Sequence, residues 1–227
     1  MHNRLLGSLS LLSLVLTAIW LGLLISVTAS TGTVETFEQA LAYAAQPGAM
    51  YFIMYLNAAL IVLAVTSLFA VLHATYRLRS PAWSFIGLVF VPVYSALNLV
   101  VYLSQVTVVP RLLELMEQPD FQPAAAALLS QSLQMWPDSS IAILNTLAYA
   151  VLAIPSIIYG FLLWGQRRGL RIAGALLVCN GIACILGFAG VVLDNPWLEW
   201  GTVIGGVLFL AALVPMSFTF LSRTWGR

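Results

Sequence analysis

Residues 83–108 read WSFIGLVFVPVYSALNLVVYLSQVTV, a run with no aspartate, glutamate, lysine or arginine. A helix that crosses the hydrocarbon core of a bilayer needs about 20 mainly apolar residues. The stretch therefore predicts a membrane-spanning helix. Five further runs are similarly long and apolar, at residues 5–29, 51–76, 141–165, 170–193 and 197–222, and none holds more than one charged residue, which lies near its start.

The overall composition agrees with a membrane protein. Hydrophobic residues make up 61% of the 227 residues and charged residues 7%, against about 45–50% and about 25% in soluble domains. The strict alternation of a transmembrane barrel is absent, so backbone groups in lipid must be satisfied within helices. The sequence predicts an all-α, polytopic bundle of six transmembrane helices, forming a single transmembrane domain over residues 1–227. Pro92, Pro155 and Pro215 are expected to kink their spans.

The charge distribution predicts the orientation, because arginines concentrate in the cytoplasmic loops of membrane proteins. Eight arginines fall at one set of span ends: Arg4, Arg77, Arg79, Arg167, Arg168, Arg171, Arg223 and Arg227. The acidic residues fall at the other set, together with Arg111: Glu35, Glu38, Glu114, Glu117, Asp120, Asp138, Asp194 and Glu199. We expect an integral protein of the plasma (cell inner) membrane with both termini in the cytoplasm. The first run exceeds the about 7–15 apolar residues of a cleaved signal, which indicates a retained signal-anchor helix.

Two long connections on the acidic side, residues 30–50 and 109–140, predict short amphipathic helices. Three sets of apolar residues recur at the 3–4 spacing of one helical face: Val34, Phe37, Leu41 and Ala44; Leu112, Leu115 and Met116; and Leu128, Leu129, Leu133 and Trp136. Amphipathic helices of this kind lie flat at a membrane surface. We expect them to cap the bundle on its extracytoplasmic side.

Polar side chains inside the spans point to a binding site. On span three, Tyr94, Asn98, Tyr102 and Gln105 fall within an arc of about 80° at about 100° per residue. Span four carries a similar stripe of Asn145, Tyr149, Ser156 and Tyr159, and span two adds Tyr55 and Asn57 at a comparable depth. Ligand pockets combine apolar and aromatic walls with a few polar groups. We therefore expect an outward-facing cavity between spans three and four that binds a lipid-like or small amphipathic ligand, or a helix of a partner membrane protein. Its candidate ligand-binding residues are Tyr94, Asn98, Tyr102, Gln105, Asn145, Tyr149, Tyr55 and Asn57.

Three other interpretations stay open. The same polar groups could be interhelical contacts that stabilise the bundle by about 0.6 kcal/mol each. The protein could also be an uncoupled transporter or permease, because no carboxylate or arginine lies in the interior of a predicted span and coupled transport usually needs such groups. It could finally be an accessory subunit of a larger membrane complex.

The sequence does not indicate an enzyme. A net charge of +1 provides no basic face for nucleic acid, so membrane lipids, an amphipathic ligand and a partner membrane protein are the expected partners. His2 is terminal and His73 lies near the end of span two, and the chain has no lysine for Schiff-base chemistry. We therefore predict no catalytic residue, no metal and no cofactor. Cys179 and Cys184 lie about 8–9 Å apart on a helix, beyond the about 7 Å limit for a disulfide, so we expect two small buried thiols.

Overall fold

The computed structural model describes residues 2–32, 34 and 36–222, and all regular structure within them is α-helical. The helices are α1 (His2–Thr31), α2 (Phe37–Ala45), α3 (Ala49–Tyr76), α4 (Pro81–Met116), α5 (Gln122–Ser132), α6 (Ser140–Trp164), α7 (Arg168–Val192) and α8 (Pro196–Ser222). Glu35, Arg223 and Arg227, which entered the orientation argument, lie outside the described residues. The predicted all-α fold is confirmed.

Six of these helices are long and apolar enough to cross a membrane. They are α1, α3, α4, α6, α7 and α8, which correspond in order to the six predicted spans. Pro92, Pro155 and Pro215, the expected kink positions, lie inside α4, α6 and α8, which continue through them. The chain is therefore an integral membrane protein by the length and composition of its helices.

The third span is longer than the sequence predicted. Helix α4 continues beyond residue 108 to Met116 and contains Pro110. Its 36 residues correspond to about 54 Å of helix, well above the about 30 Å of a hydrocarbon core. Leu112, Leu115 and Met116 therefore extend the spanning helix instead of forming a separate amphipathic one.

The extension of α4 packs with α2 and α5 in a small apolar core. Helix α2 begins with a capping box, in which Thr36 Oγ1 accepts from the Gln39 amide at 3.3 Å and Gln39 Oε1 accepts from the Thr36 amide at 3.2 Å. The buried members of the core are Ala40, Ala44, Val109, Leu112, Leu129 and Leu133. Val34, Phe37, Leu41 and Trp136 pack against it half-buried. The amphipathic helices predicted near residues 34–44 and 124–136 are thus present as α2 and α5.

The chain folds as two compact units, each assembled from segments that are distant in sequence. Unit 1 comprises Met1–Thr17, Ile61–Ala96 and Thr146–Arg227, and unit 2 comprises Ala18–Leu60 and Leu97–Asn145. The core formed by α2, α5 and the end of α4 lies in unit 2. Helices α7 and α8 belong entirely to unit 1.

Glycines let helix backbones touch in unit 1. A Cβ placed on Gly160 of α6 would lie 2.7 Å from the carbonyl oxygen of Gly174 in α7. A Cβ on Gly201 of α8 would meet the backbone of Gly187 and the carbonyl oxygen of Ala183, both in α7. Small residues commonly permit such close crossings in membrane proteins. Close backbone contact at these glycines therefore contributes to the packing of α6, α7 and α8.

A tight turn closes the α7–α8 hairpin. Asp194 adopts a positive φ of 51°, and the Asn195 amide donates to the Gly190 carbonyl at 2.8 Å. Asn195 then caps α8, because its Oδ1 accepts from the amides of Trp197 at 3.1 Å and Leu198 at 3.3 Å. Local hydrogen bonds therefore define both helix ends at this turn.

The two cysteines are free, as expected, but only Cys184 is buried. Cys179 is exposed, so the expectation of two buried thiols is wrong for this residue. Five helical positions rotate a side chain by about 140° relative to the first. Cys179 and Cys184 therefore point to different sides of α7.

The orientation stays a prediction, and thiol labelling checks it. In a chain with Cys179 and Cys184 replaced by alanine, Gln39→Cys and Gln122→Cys are expected to react with a membrane-impermeant thiol reagent in intact cells. Ser80→Cys, in the arginine-rich α3–α4 turn, is expected to react only after permeabilisation, because arginines favour the cytoplasmic side. The reverse labelling pattern would invert the topology.

Candidate functional site

The eight predicted site residues divide between the two units. Tyr94 and Tyr149 belong to unit 1, while Asn98, Tyr102, Gln105, Asn145, Tyr55 and Asn57 belong to unit 2. Six of the eight are buried, and only Asn145 and Tyr149 are half-buried. The sequence pattern therefore identified interior positions. The hydrogen-bond partners differ from residue to residue and indicate the role of each side chain.

Gln105 joins α4 to the end of α5 through the nitrogen and the oxygen of its side-chain amide. Its Nε2 donates to the Ser132 carbonyl oxygen at 2.8 Å and to Ser104 Oγ at 3.0 Å, and its Oε1 accepts from the Gln134 amide at 3.1 Å. The side chain is 1% exposed. Gln105 thus holds two backbone groups of the α5–α6 segment, which is a positioning role.

A tyrosine cluster continues this network to α3 and α2. Tyr55 Oη donates to Gln134 Oε1 at 3.1 Å, and Tyr51 Oη donates to the Gln105 carbonyl oxygen at 3.3 Å. The Tyr51 ring lies 4.8 Å from that of Tyr55 and 5.5 Å from that of Tyr43, measured between centroids. The sequence analysis identified Tyr55 and Gln105 but missed Tyr43, Tyr51 and Gln134. Tyr51 precedes Tyr55 by one helical turn, a spacing that could have identified it.

A pocket of about 290 Å³ lies beside this cluster, within unit 2. Its lining is Val27, Ala42, Tyr43, Gln46, Gly48, Met50 and Tyr51. The Tyr43 hydroxyl is buried and has no hydrogen-bond partner among the described residues. Burial raises the pKa of Tyr43 above its ordinary value, so the phenol is neutral at physiological pH. The pocket is therefore uncharged, with apolar and hydrogen-bonding walls.

Asn98 is the predicted residue whose polar atoms are left unsatisfied. Its side chain is 0% exposed, and neither Nδ2 nor Oδ1 has a hydrogen-bond partner in the part of the chain that the structure describes. Asn145 Oδ1 is also buried without a partner there. An unsatisfied buried donor or acceptor costs about 1–3 kcal/mol. These two amides of unit 2 are the strongest candidates for contacts with a bound molecule.

In unit 1, Tyr159 and Ser84 make internal contacts, whereas Ser156 Oγ of the predicted span-four stripe is buried without a partner among the described residues. Tyr159 Oη donates to the Ser84 carbonyl oxygen at 2.7 Å, and His73 Nδ1 lies 2.9 Å from Ser84 Oγ. The rings of Tyr94 and Tyr149 lie 6.5 Å apart between centroids. Ser84, which the sequence did not single out, links α4 to both α3 and α6. These contacts are structural.

The described residues contain no group of three or more His, Cys, Asp or Glu side chains that could hold a metal ion. The candidate site in unit 2 is accordingly a set of neutral amides and phenols, suited to hydrogen bonding.

No protein-family model matches the chain, and searches of curated proteins and of solved structures found no match.

Proposed function

We propose that this chain is a non-enzymatic integral membrane protein that binds a lipid-like or small amphipathic ligand in unit 2. The observation that carries the proposal is Asn98, a fully buried amide with no protein partner for either polar atom among residues 2–32, 34 and 36–222. Buried polar groups in proteins are nearly always hydrogen-bonded. A ligand that supplies the missing hydrogen-bond partners of Asn98 explains why an amide that would otherwise destabilise the fold is buried there.

The chemistry of an amide defines the ligand group. Asn98 Nδ2 needs an acceptor and Oδ1 needs a donor, and a hydroxyl or an amide of the ligand provides both. A second unpaired atom of the same unit, Asn145 Oδ1, also needs a donor. We therefore assign the ligand a neutral, hydrogen-bonding head group attached to an apolar body.

The charge of unit 2 supports a ligand without negative charge. Within its described residues the acids are Glu38, Glu114, Glu117, Asp120 and Asp138, against the single base Arg111. A field of one sign attracts the opposite charge and repels its own. Anionic lipids are thus disfavoured here, whereas neutral amphiphiles are accepted. The same unit also has an uncharged pocket beside Tyr43 with apolar and hydrogen-bonding walls, although neither Asn98 nor Asn145 is part of its lining.

The experiment compares two buried asparagines that differ in their partners. Asn180 of α7 donates from Nδ2 to the Gly205 carbonyl oxygen at 2.9 Å, and only its Oδ1 lacks a partner among the described residues, whereas neither polar atom of Asn98 has a partner there. We expect Asn98→Leu to reduce the lipid that copurifies with the protein, measured by mass spectrometry. After delipidation, the variant is expected to be at least as stable as wild type, because an unsatisfied group worth about 1–3 kcal/mol is removed.

Asn180→Leu is the matched control. It is expected to lower the melting temperature, because a satisfied interhelical bond is lost, and to leave the lipid content unchanged. A fall in melting temperature for Asn98→Leu with unchanged lipid content would identify Asn98 as an interhelical contact and refute the ligand site. Loss of a copurifying membrane protein in place of a lipid would instead identify the partner as a helix of another chain.

A further inference from the structure

Two short turns of unit 1 carry a cluster of exposed arginines. Arg77 and Arg79 lie in the α3–α4 turn, and Arg167, Arg168 and Arg171 lie at the α6–α7 turn and the start of α7. A Cβ placed on Gly165 would lie 3.1 Å from Arg79 Nη2, so the Arg79 guanidinium rests against the α6–α7 turn. The turns therefore form one surface, which we call the basic turn surface.

The positive charge of this surface has no acidic counterpart nearby within the described part of unit 1. The acids there are Asp194 and Glu199, at the α7–α8 turn and the start of α8. The length of α7, 25 residues, separates that turn from Arg168 by about 36 Å. This exceeds the Debye length of about 8 Å at physiological salt. The positive charge is therefore not neutralised by an acid of the described part of unit 1 and can attract an anion from outside the chain.

Apolar side chains beside the arginines indicate where that anion comes from. Leu78 is 91% exposed between Arg77 and Arg79. Phe161 and Trp164 at the end of α6 are also exposed, with their rings stacked at 6.5 Å. Aromatic residues next to arginines are typical of the level of lipid head groups. A molecule that carries both a phosphate and acyl chains matches both parts of the surface.

We propose that the basic turn surface binds the phosphate head group of an anionic phospholipid, with Arg79 and Arg167 as its principal contacts. Arginine recognises phosphate through two parallel N–H donors. The N-cap residue of α7, Arg167, makes no side-chain capping bond, and the N-terminal end of a helix favours a nearby anion. The site lies in unit 1 and is independent of the ligand proposed for unit 2.

The test measures lipid affinity of the full chain in a neutral detergent. Dioctanoyl phosphatidylglycerol and dioctanoyl phosphatidylcholine are titrated separately, and bound lipid is counted by native mass spectrometry. We expect tighter binding of phosphatidylglycerol by wild type. Arg79→Gln and Arg167→Gln are each expected to weaken that binding about five-fold, from about 1 kcal/mol per basic residue.

Arg4→Gln is the control, because it removes one exposed arginine at the same predicted side but outside both turns. It is expected to keep the wild-type preference. Equal affinities for the two lipids, or equal losses in Arg4→Gln and Arg79→Gln, would overturn the proposed site. Displacement of phosphatidylglycerol by millimolar inorganic phosphate would show a site for a soluble anion and not for a lipid. Unchanged melting temperatures in phosphatidylcholine check that the variants are folded.

Discussion

A Gly201→Ala protein is expected to unfold at a clearly lower temperature than wild type. The added methyl group would lie 2.6 Å from the Gly187 amide nitrogen and 3.0 Å from the α-carbon of the same residue. These atoms belong to the backbone of α7 and cannot rotate away as a side chain can. Helices α7 and α8 must therefore separate along their contact, and overpacking of this kind typically costs about 1–3 kcal/mol.

Gly206→Ala provides the matched control on the same helix. A Cβ at Gly206 meets nothing within 4 Å, and alanine favours a helix over glycine by up to about 1 kcal/mol. Thermal unfolding in detergent is expected to show Gly206→Ala at or above the wild-type melting temperature. Equal melting temperatures for Gly201→Ala and Gly206→Ala would show that the α7–α8 contact is not as tight as the backbone indicates.

The spans could be predicted from the sequence because one physical requirement determines them. Lipid demands about 20 apolar residues in a helical backbone, and all six such runs became helices. The end of α4 could not be predicted, since Pro110 usually marks the end of a helix. Helix α4 continues because Val109 and Leu112 are buried in a core with α2 and α5. That contact depends on tertiary packing, which local periodicity does not contain.

The candidate site was predictable as a stripe of polar residues but not in the role of each member. Asn98 and Gln105 are both amides within one apolar helix, and both are buried. Gln105 bonds to backbone groups of Ser132 and Gln134. Residues of every type carry such groups, so the sequence does not show which of them a side chain contacts. Asn98 has no hydrogen-bond partner in the part of the chain that the structure describes. Only the structure separates a residue that positions a segment from one whose polar atoms have no partner among the described residues.

Gln105→Leu is expected to loosen α5 from α4. The leucine would leave the Ser132 carbonyl and the Gln134 amide without the partners that Gln105 provides, at about 1–3 kcal/mol for each buried group. The apolar contacts of Leu129 and Leu133 remain, so α5 should stay helical but open more often. Hydrogen exchange followed by mass spectrometry is expected to show faster exchange of the α5 amides and a lower melting temperature.

Thr107→Val, a short step further along α4, separates this effect from a general disturbance of the helix. Thr107 is exposed, and its hydroxyl donates to the Leu103 carbonyl of its own helix at 2.7 Å. Its replacement is expected to leave exchange in α5 at the wild-type rate. If Gln105 bound a ligand directly instead, Gln105→Leu would reduce copurified lipid while α5 exchanged as in wild type. That result would contradict the positioning role. If Gln105 holds α5 in place through the Ser132 carbonyl and the Gln134 amide, its loss must speed the exchange of the α5 amides.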